Sequence, residues 1–503
     1  MDELTPSLDS FTAHYQSGRS QVVWIDLVSD LETPVASYLK LAAMAPNSFL
    51  LESVEDGDIK GRYSVIGLDP DLIFRVRDGE TSICRNVNTA TYEPITAPPL
   101  DALRAILAES AINLDAAIPS MAAGIFGYLS YDMVKQMENL PDNNPRALDV
   151  PDCLLIRPTI IAVFDTVTDT LKLVTPVRPA TDVDAATAYE AARARLLEAR
   201  LRLDAPVEQP PIAMDTGPLT ISSNMTEADY FAIVDRARDY ITAGDIFQVV
   251  LSQRFSAPFP LPPFSLYRAL RRINPSPYLF FLNFEGFSVV GSSPEVLVGV
   301  QNRVVNIRPI AGTRRRGETP EDDKRIGAEL LADEKERAEH LMLLDLGRND
   351  VGRVSELGSV KVNQAFGLQK TSHLIHIVSD VTGTLRQDLD VIDALQAGFP
   401  AGTVSGAPKI RAMEIIDELE VDKRGIYAGC VGYFSAGGDM DSCIALRTAI
   451  VKDNTVYVQA GGGVVFDSTP QYEYDETVNK AKALFRAAEE AFAIAQDRRN
   501  RGS

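Results

Sequence analysis

The chain of 503 residues is acidic, with 49 lysines and arginines against 70 aspartates and glutamates and a formal net charge of −21. This excess of negative charge argues against a nucleic-acid-binding surface. No apolar run approaches the roughly 20 residues of a membrane-spanning helix, so the sequence also predicts no membrane insertion. The length suits two or more domains, or one large composite core.

The N-terminus and the cysteines predict a cytoplasmic location. Residues 1–6 carry neither the basic stretch nor the apolar stretch that begins a secretory signal. The cysteines are widely spaced and form no CxxC motif, so we interpret them as small buried side chains in a reducing compartment. They are Cys84, Cys153, Cys430 and Cys443.

The first half of the chain predicts strands followed by a helix. Apolar runs at 22–25, 154–164 and 170–174 indicate strands, and the Ala-, Arg- and Glu-rich segment 185–203 indicates a helix. The next segment is dense in proline and lacks hydrophobic periodicity, which is typical of a linker. We therefore divide the chain into an N-terminal region (1–203), a linker (204–222), a C-terminal domain (223–496) and a tail (497–503).

The second half predicts groups of strands separated by helices. A helix is expected over 225–241, with Thr226 as its N-cap. Several strand-like runs are joined by short turns such as Asp453-Asn454, which favours hairpins and antiparallel pairing. Because helices do not alternate regularly with single strands, the pattern predicts an α+β fold with a large mixed or antiparallel sheet system. The runs are 247–255, 278–284, 288–290, 296–300, 428–434, 442–451 and 455–459.

Two pairs of glutamates stand three residues apart in segments predicted to be helical. Glu336 and Glu339 form the first pair, and Glu473 and Glu476 form the second. Residues at i and i+3 share a helix face, so each pair directs its carboxylates to one side. If the two faces meet, the four carboxylates require a cation between them, and Mg²⁺ prefers such hard oxygen ligands. Taken alone, either pair is more typical of a solvated helix surface.

Other catalytic signatures are absent from the sequence. It contains no GxxxxGK[ST] phosphate loop, no GxSxG elbow and no HExxH zinc helix. A di-iron site needs Glu-x-x-His from two helices, and His340 instead follows a glutamate directly. The glycines at 461–463 can offer backbone N–H groups to an anion. Carboxylate-rich segments flank His373 and His376, so a titrating role is expected there.

Several motifs resemble those of the chorismate-utilising enzymes, in the order in which that family has them. They extend from about residue 225 to 495, more than half of the chain. The N-terminal half is similar to the regulatory region of the same family through segments 48–53, 61–64 and 124–132. The C-terminal motifs are 309–314 (PIAGTR), 339–350 (EHLMLLDLGRND), 399–409 (FPAGTVSGAPK), 445–449 (ALRTA), 459–465 (QAGGGVV) and 474–480 (YDETVNK).

The resemblance implies a two-domain α+β chorismate-binding fold with stacked, largely antiparallel β-sheets covered by helices. Two positions distinguish the branches of the family. Isochorismate and salicylate synthases have a water-activating lysine where this chain has Gln248, and a neutral amide cannot act as that base. Aminodeoxychorismate synthases typically have a nucleophilic lysine where this chain has Ala311. The chain is therefore most similar to the anthranilate synthase branch, in which ammonia is the nucleophile.

The resemblance to that branch implies amination of chorismate by ammonia, followed by loss of pyruvate to give anthranilate, the first committed step of tryptophan biosynthesis. Mg²⁺ is the implied cofactor, with Glu339 and Glu476 as leading ligands and Glu336 and Glu473 nearby.

The catalytic residues implied by the resemblance are His376, Gln248 and Thr313, and His376 is expected to do acid/base work near the departing hydroxyl. Other residues are expected to bind the substrate, and Arg447 in particular can hold its enolpyruvyl carboxylate in fork geometry. The implied substrate-binding residues are Gly312, Thr403, Tyr427, Arg447, Gly461, Gly462, Gly463 and Lys480.

The resemblance also implies feedback inhibition by tryptophan. Without the family, segments 50–53 and 274–278 are more typical of a strand end and a proline turn. The implied effector residues are Glu52, Ser53, Arg62, Asn274, Pro275, Ser276, Pro277 and Tyr278.

The sequence contains no glutamine amidotransferase motif, because no cysteine stands in a glycine-rich nucleophile turn. We therefore expect a separate amidotransferase subunit, component II, to supply ammonia; the alternative is a stand-alone enzyme that uses free ammonia. Two further alternatives stay open. One is aminodeoxychorismate synthase component I, and the other is a non-catalytic homologue that only binds the effector.

Overall fold

The structure is a computed structural model that describes residues 4–55, 59–208, 219–371 and 374–500. His373, most of the predicted linker and the end of the predicted tail lie outside these ranges. The α-helices within them are α1 (Leu8–Gln16), α2 (Pro34–Ala42), α3 (Pro99–Ser110), α4 (Ala185–Asp204), α5 (Glu227–Ala243), α6 (Pro263–Ile273), α7 (Pro320–Ala332), α8 (Glu334–Val354), α9 (Val391–Gly398), α10 (Lys409–Leu419) and α11 (Pro470–Asn500).

The strands form one hydrogen-bonded network in which every described pairing is antiparallel. They are β1 (Gln21–Val28), β2 (Ser48–Glu55), β3 (Ile59–Arg77), β4 (Glu80–Asn86), β5 (Thr91–Ile95), β6 (Gly124–Leu129), β7 (Cys153–Asp165), β8 (Thr170–Val177), β9 (Ser222–Ser223), β10 (Gln248–Pro258), β11 (Tyr278–Phe284), β12 (Phe287–Ser293), β13 (Val296–Gln301), β14 (Val304–Ile307), β15 (Ile310–Arg315), β16 (Lys361–Lys370), β17 (Leu374–Thr384), β18 (Gly406–Ala407), β19 (Cys430–Ser435), β20 (Met440–Ile444), β21 (Thr448–Lys452) and β22 (Thr455–Val464).

The α+β fold expected from the sequence is confirmed, and so are its strongest local signals. The helix predicted at 225–241 is α5, whose N-terminus has a capping box between Thr226 and Asp229. The predicted strand 442–451 is wrong as a single element, because the chain leaves the sheet at 445–447 and divides it into β20 and β21. Arg447 has a φ of 46° at this break, a left-handed conformation that a strand cannot continue.

Two strand pairings join the N-terminal and C-terminal parts of the chain. β2 pairs with β11, with Ser53 opposite Tyr278, and β6 pairs with β19. The predicted effector segments therefore meet on neighbouring strands although more than 200 positions separate them. Backbone hydrogen bonds across these two pairings make the N-terminal strands part of the same sheet system as the strands of the C-terminal part.

Apolar faces hold α8 and α11 against this sheet system. On α11, Ala481, Leu484, Phe485 and Ala488 repeat at intervals of three and four residues and are buried in one core with residues of α6. Leu344, Val351 and Val354 of α8 are buried in a second core with residues of β17. These cores determine where the first turns of both helices lie. Among the helices of the described ranges, none combines the length and apolar character that crossing a membrane requires.

Candidate active site

The first turns of α8 and α11 lie close together and carry the two glutamate pairs. Asp333 caps α8 by accepting hydrogen bonds from the backbone N–H groups of Lys335 and Glu336. The ammonium nitrogen of Lys335 lies 2.8 Å from a carboxylate oxygen of Asp467, just before α11. Burial raises the pKa of Glu339, and the nearby carboxylates of Glu336 and Glu476 raise it further. The two helix faces therefore meet, which the helical spacing of each pair left open.

Glu473 is the most deeply buried member of the acidic cluster formed by Glu336, Glu339, Glu473 and Glu476. Glu473 is only 2% exposed, and the Oε2 atom of its carboxylate has no hydrogen-bond partner within the described ranges. Burial raises the pKa of Glu473 to about 7, with a further contribution from neighbouring Glu476. An unpaired buried carboxylate oxygen is costly, which makes this atom a candidate ligand for a cation.

Two cations already pair with the acidic cluster. The guanidinium of Arg314 lies 2.6 Å from Glu336, and the ammonium of Lys480 lies 2.8 Å from Glu476. In the part of the chain that the structure describes, no group of three or more His, Cys, Asp and Glu side chains is arranged to hold a metal ion. A site in which four carboxylates share one ion is therefore not preformed, because Arg314 and Lys480 already neutralise the charge of two of the four carboxylates.

The chemistry of the acidic cluster nevertheless fits Mg²⁺. All of its donors are hard carboxylate oxygens, and one of them, on Glu473, is buried without a partner. Mg²⁺ is usually held by one or two protein carboxylates together with an anionic ligand and water, so it does not require a complete protein cage.

Three consecutive glycines bring the backbone of β22 against the predicted site residues. A Cβ at the first of the glycines 461–463 would lie 2.7 Å from the hydroxyl oxygen of Tyr427. A Cβ at the second would lie 2.7 Å from Oε2 of Glu473, and one at the third would lie 2.9 Å from Nε2 of Gln248. Real Cβ atoms do not approach so closely, so a side chain here would displace these groups. Gly312 similarly lies against Glu336, with a φ of 69°.

His376 and Thr313 are opposite each other on the antiparallel pair β15–β17. Nδ1 of His376 lies 3.0 Å from Oγ1 of Thr313, whereas Nε2 has no partner within the described residues. Burial lowers the pKa of His376 to about 4, and the positive charge of Arg447 lowers it further. The imidazole is therefore neutral near pH 7, with one ring nitrogen anchored and the other able to exchange a proton.

Arg447 is a largely buried cation without a side-chain hydrogen bond to any residue that the structure describes. Burial lowers the pKa of its guanidinium, and the negative form of Glu295 opposes that shift. A buried guanidinium presents several N–H donors to whatever anion enters the site. Its role in binding a substrate carboxylate stays a prediction, and a largely buried guanidinium is suited to that role.

Glu295 is a site residue that the sequence reasoning missed. It is 7% exposed and accepts a hydrogen bond of 3.1 Å from the hydroxyl of Thr403, one of the predicted substrate-binding residues. Burial raises the pKa of Glu295 to about 8, so its carboxyl retains a proton at neutral pH. The sequence feature that could have indicated Glu295 is its position just after β12, a strand in which all seven residues are buried.

Several of the predicted effector residues lie close together, in a second cluster around Glu52. Arg271 of α6 binds the carboxylate of Glu52 through two hydrogen bonds of 2.7 and 2.9 Å, and Tyr267 donates a third. Ser53 pairs with Tyr278 across β2 and β11, which places the rest of the segment 274–278 next to the α6 end of this cluster. The guanidinium of Arg62 instead lies 2.9 Å from Asp165 and is about half exposed, so it does not join this cluster.

The sequence of the chain is similar to those of known enzymes. The family model described as chorismate binding enzyme matches residues 46–486. The anthranilate synthase component 1 of Cereibacter sphaeroides is 52% identical over 496 residues, covering 97% of this chain and 99% of that protein. The enzyme of the same name from Thermus thermophilus is 45% identical over 472 residues, covering 93% and 97%. The chain therefore belongs to the family of chorismate binding enzymes.

Solved structures support the same fold. The anthranilate synthase component I of Streptococcus pneumoniae has a TM-score of 0.76 and 37% identity, and the match covers 91% of this chain and 98% of that one. The menaquinone-specific isochorismate synthase of Escherichia coli has a TM-score of 0.69 at 18% identity, covering 96% and 99%, which shows a shared fold. The two relatives at 52% and 45% identity and the solved structure at 37% identity thus all bear the name anthranilate synthase component 1 or I.

The raised pKa of Glu295 predicts a pH-dependent effect on stability. Between the ordinary carboxyl pKa of 4.5 and about 8, the unfolded chain has lost this proton and the folded chain retains it. The free energy of unfolding of the wild type should therefore fall with rising pH across this window. Glu295→Gln has no titrating carboxyl group at this position and should not show that decrease. We expect the unfolding midpoint of Glu295→Gln to rise by a few degrees relative to the wild type between pH 5.5 and 7.5, on the order expected for 1–2 kcal/mol.

The matched control for this measurement is Glu285→Gln, at an exposed glutamate between β11 and β12. The unfolding midpoint of Glu285→Gln should equal that of the wild type at every pH. The assignment of a retained proton to Glu295 fails if the Glu295→Gln and wild-type midpoints change in parallel from pH 5.5 to 7.5.

Proposed function

We propose that this chain is the large component of an anthranilate synthase, which aminates chorismate with ammonia and eliminates pyruvate to form anthranilate, the first committed step of tryptophan biosynthesis. The observation that carries the proposal is Gln248, a buried residue whose amide oxygen has no partner in the described ranges. Ammonia needs no base to become a nucleophile, but it needs an acceptor to orient its N–H groups. The free amide oxygen is suited to that role.

Binding of the substrate rests on complementary charge. Chorismate carries two carboxylates, and the guanidinium of Arg447 is suited to hold the enolpyruvyl one in fork geometry. Backbone N–H groups of the glycines 461–463 and the hydroxyl of Tyr427, which borders the first of them, complete this side of the pocket. The hydroxyl of Thr403, already bonded to Glu295, would contact the ring of the bound substrate.

The acidic cluster is the proposed Mg²⁺ site. Glu339 and Glu476 are the leading ligands, with Glu336 and Glu473 binding directly or through water. When bound, Mg²⁺ would orient the ring carboxylate and offset its negative charge. Release of Glu336 from Arg314 and of Glu476 from Lys480 would make both carboxylates available, because each is now held by a single cation.

Two groups supply the proton transfers. Ammonia forms a bond to C2 as the C4 hydroxyl departs, and Glu295, protonated at neutral pH, is suited to donate the proton with which that hydroxyl leaves as water. Loss of pyruvate then requires removal of the C2 proton as the ring becomes aromatic. The neutral His376, anchored through Nδ1 to Thr313 and unpaired at Nε2, is suited to accept it.

Regulation and partners follow from the same proposal. Ammonia would come from a glutamine amidotransferase, the second component that the name of the relatives implies. Tryptophan would bind where Glu52 and Ser53 meet the segment 274–278, and inhibit turnover. We also propose a cytoplasmic location, in keeping with the cysteines, which the structure places as free, buried thiols.

The decisive experiment is product identification. Purified protein incubated with chorismate, ammonium and Mg²⁺ should form anthranilate and pyruvate in equal amounts, and chelation of the metal should stop the reaction. Tryptophan added to the same assay should reduce the rate. Formation of 4-amino-4-deoxychorismate would instead indicate an aminodeoxychorismate synthase, and tryptophan binding without any turnover would indicate a non-catalytic effector-binding protein.

The metal assignment predicts that Glu339→Gln and Glu476→Gln each lower turnover by at least about 10²-fold, because a neutral amide is a weaker ligand for Mg²⁺ than a carboxylate. The Mg²⁺ concentration for half-maximal rate should rise in both variants. The loss should be tested alongside unfolding midpoints, which should change little because both side chains are partly exposed.

Asp475→Asn is the matched control, since it removes an exposed carboxylate adjacent to Glu476 on the same helix. It should retain wild-type turnover and Mg²⁺ dependence. Full activity of Glu339→Gln and Glu476→Gln at limiting Mg²⁺ would contradict the assignment of the metal to the acidic cluster.

A further inference from the structure

Ser292 lies between the proposed effector cluster and the active site. It is fully buried near the end of β12. Its hydroxyl donates a hydrogen bond to the backbone carbonyl of Asn274, the residue that ends α6. Its backbone N–H donates to the carbonyl of Arg447 over 3.2 Å. A single buried residue thus contacts the backbone of both sites.

On the effector side, a chain of hydrogen bonds continues from Asn274 to Glu52. The backbone N–H of Asn274 bonds to the carbonyl of Leu270 in the last turn of α6. One residue further along that turn, Arg271 holds both carboxylate oxygens of Glu52. Because α6 is a hydrogen-bonded unit, movement of Glu52 by a bound effector would move Asn274 with it. The carbonyl that Ser292 contacts is therefore attached to the effector cluster.

On the active-site side, Ser292 contacts a backbone in an unusual conformation. Arg447 has a φ of 46°, which is unfavourable for a residue with a side chain and persists only where neighbours hold it. The turn is held by bonds from the N–H of Leu446 to the carbonyl of Ile444 and from the hydroxyl of Thr448 to that of Leu446. The N–H of Ser292 holds the carbonyl of Arg447 itself, so displacing Ser292 would tilt its guanidinium.

We propose that Ser292 is a positioning residue that transmits the state of the effector cluster to Arg447, and thereby to chorismate binding. The inference rests on the proposed function, because it takes Arg447 as the substrate carboxylate ligand and the Glu52 cluster as the tryptophan site. The hydroxyl of Ser292 links the residue to α6, and its backbone N–H links it to Arg447. Only the first of these links depends on the side chain.

The test compares Ser292→Ala with Ser288→Ala. Ser288 lies four residues earlier on β12, hence on the same face, is also buried, and donates its hydroxyl hydrogen bond to the side chain of Asn283 instead. Both substitutions remove a buried hydroxyl and leave one acceptor unpaired, so their effects on the unfolding midpoint should be similar. Initial rates with chorismate, ammonium and Mg²⁺ should be measured over a range of tryptophan concentrations.

For Ser292→Ala we expect the tryptophan concentration for half-inhibition to rise about 10-fold, within the usual range of allosteric coupling. The KM for chorismate should change by about threefold, with a smaller change in kcat, because the position of Arg447 affects binding of the substrate. Ser288→Ala should match the wild type in both respects. Ser292→Thr retains the hydroxyl donor and should restore inhibition.

Equal sensitivity to tryptophan in Ser292→Ala and Ser288→Ala would overturn the inference, as would a folded Ser292→Thr that is as insensitive as Ser292→Ala. These results differ from a failure of the proposed function. Wild-type protein that forms no anthranilate would contradict the enzymatic proposal, and wild-type protein that forms anthranilate without inhibition by tryptophan would contradict the effector site. The Ser292 variants are therefore compared with wild-type protein that both forms anthranilate and is inhibited by tryptophan.

Discussion

The candidate site depends on buried charged and polar groups that the surrounding protein leaves unpaired. Arg447 is largely buried without a hydrogen bond from its guanidinium within the described residues, and Glu473 keeps an unpaired carboxylate oxygen. Glu295 responds to the same burial by retaining its proton, and His376 by remaining neutral. Keeping these four groups buried in an unpaired or neutral state costs folding free energy. Binding of an anionic ligand and a divalent cation would offset that cost, so the protein without ligands is less stable than a fully paired core would make it.

Nearby buried charges show that the fold can satisfy such groups completely. Arg424 and Glu420 are both almost fully buried and share two hydrogen bonds of 2.9 and 2.6 Å. The remaining donors of Arg424 reach the backbone carbonyls of Val404 and Val250, while Ser252 donates twice to Glu420. Within the described ranges, no buried polar side-chain atom of Arg424 or Glu420 lacks a hydrogen-bond partner. The contrast supports the proposal that the unpaired groups bind ligands, because the same core can pair its structural charges.

The antiparallel sheet system connects the N-terminal part of the chain with the candidate active site. β2 of the N-terminal part pairs with β11, and β11 pairs with β12, whose last residues border Arg447 and lead to Glu295. Three adjacent strands thus connect Glu52 and Ser53 with the segment that leads to Glu295. Strands in register resist sliding because a shift of one residue would exchange their buried and exposed faces. A displacement at one edge is therefore carried through hydrogen bonds to the next strand.

The sequence by itself determined the local elements and the types of side chain at the site. Helical composition located α4, the predicted N-cap Thr226 located the start of α5, and the helical spacing of Glu473 and Glu476 placed both on one face. The tertiary structure alone decided which of these groups have partners. It paired Glu336 with Arg314, turned Arg62 towards Asp165, and buried Glu295 enough to retain a proton. Periodicity reports only which face of an element is buried, whereas hydrogen-bond partners and pKa values depend on residues distant in the chain.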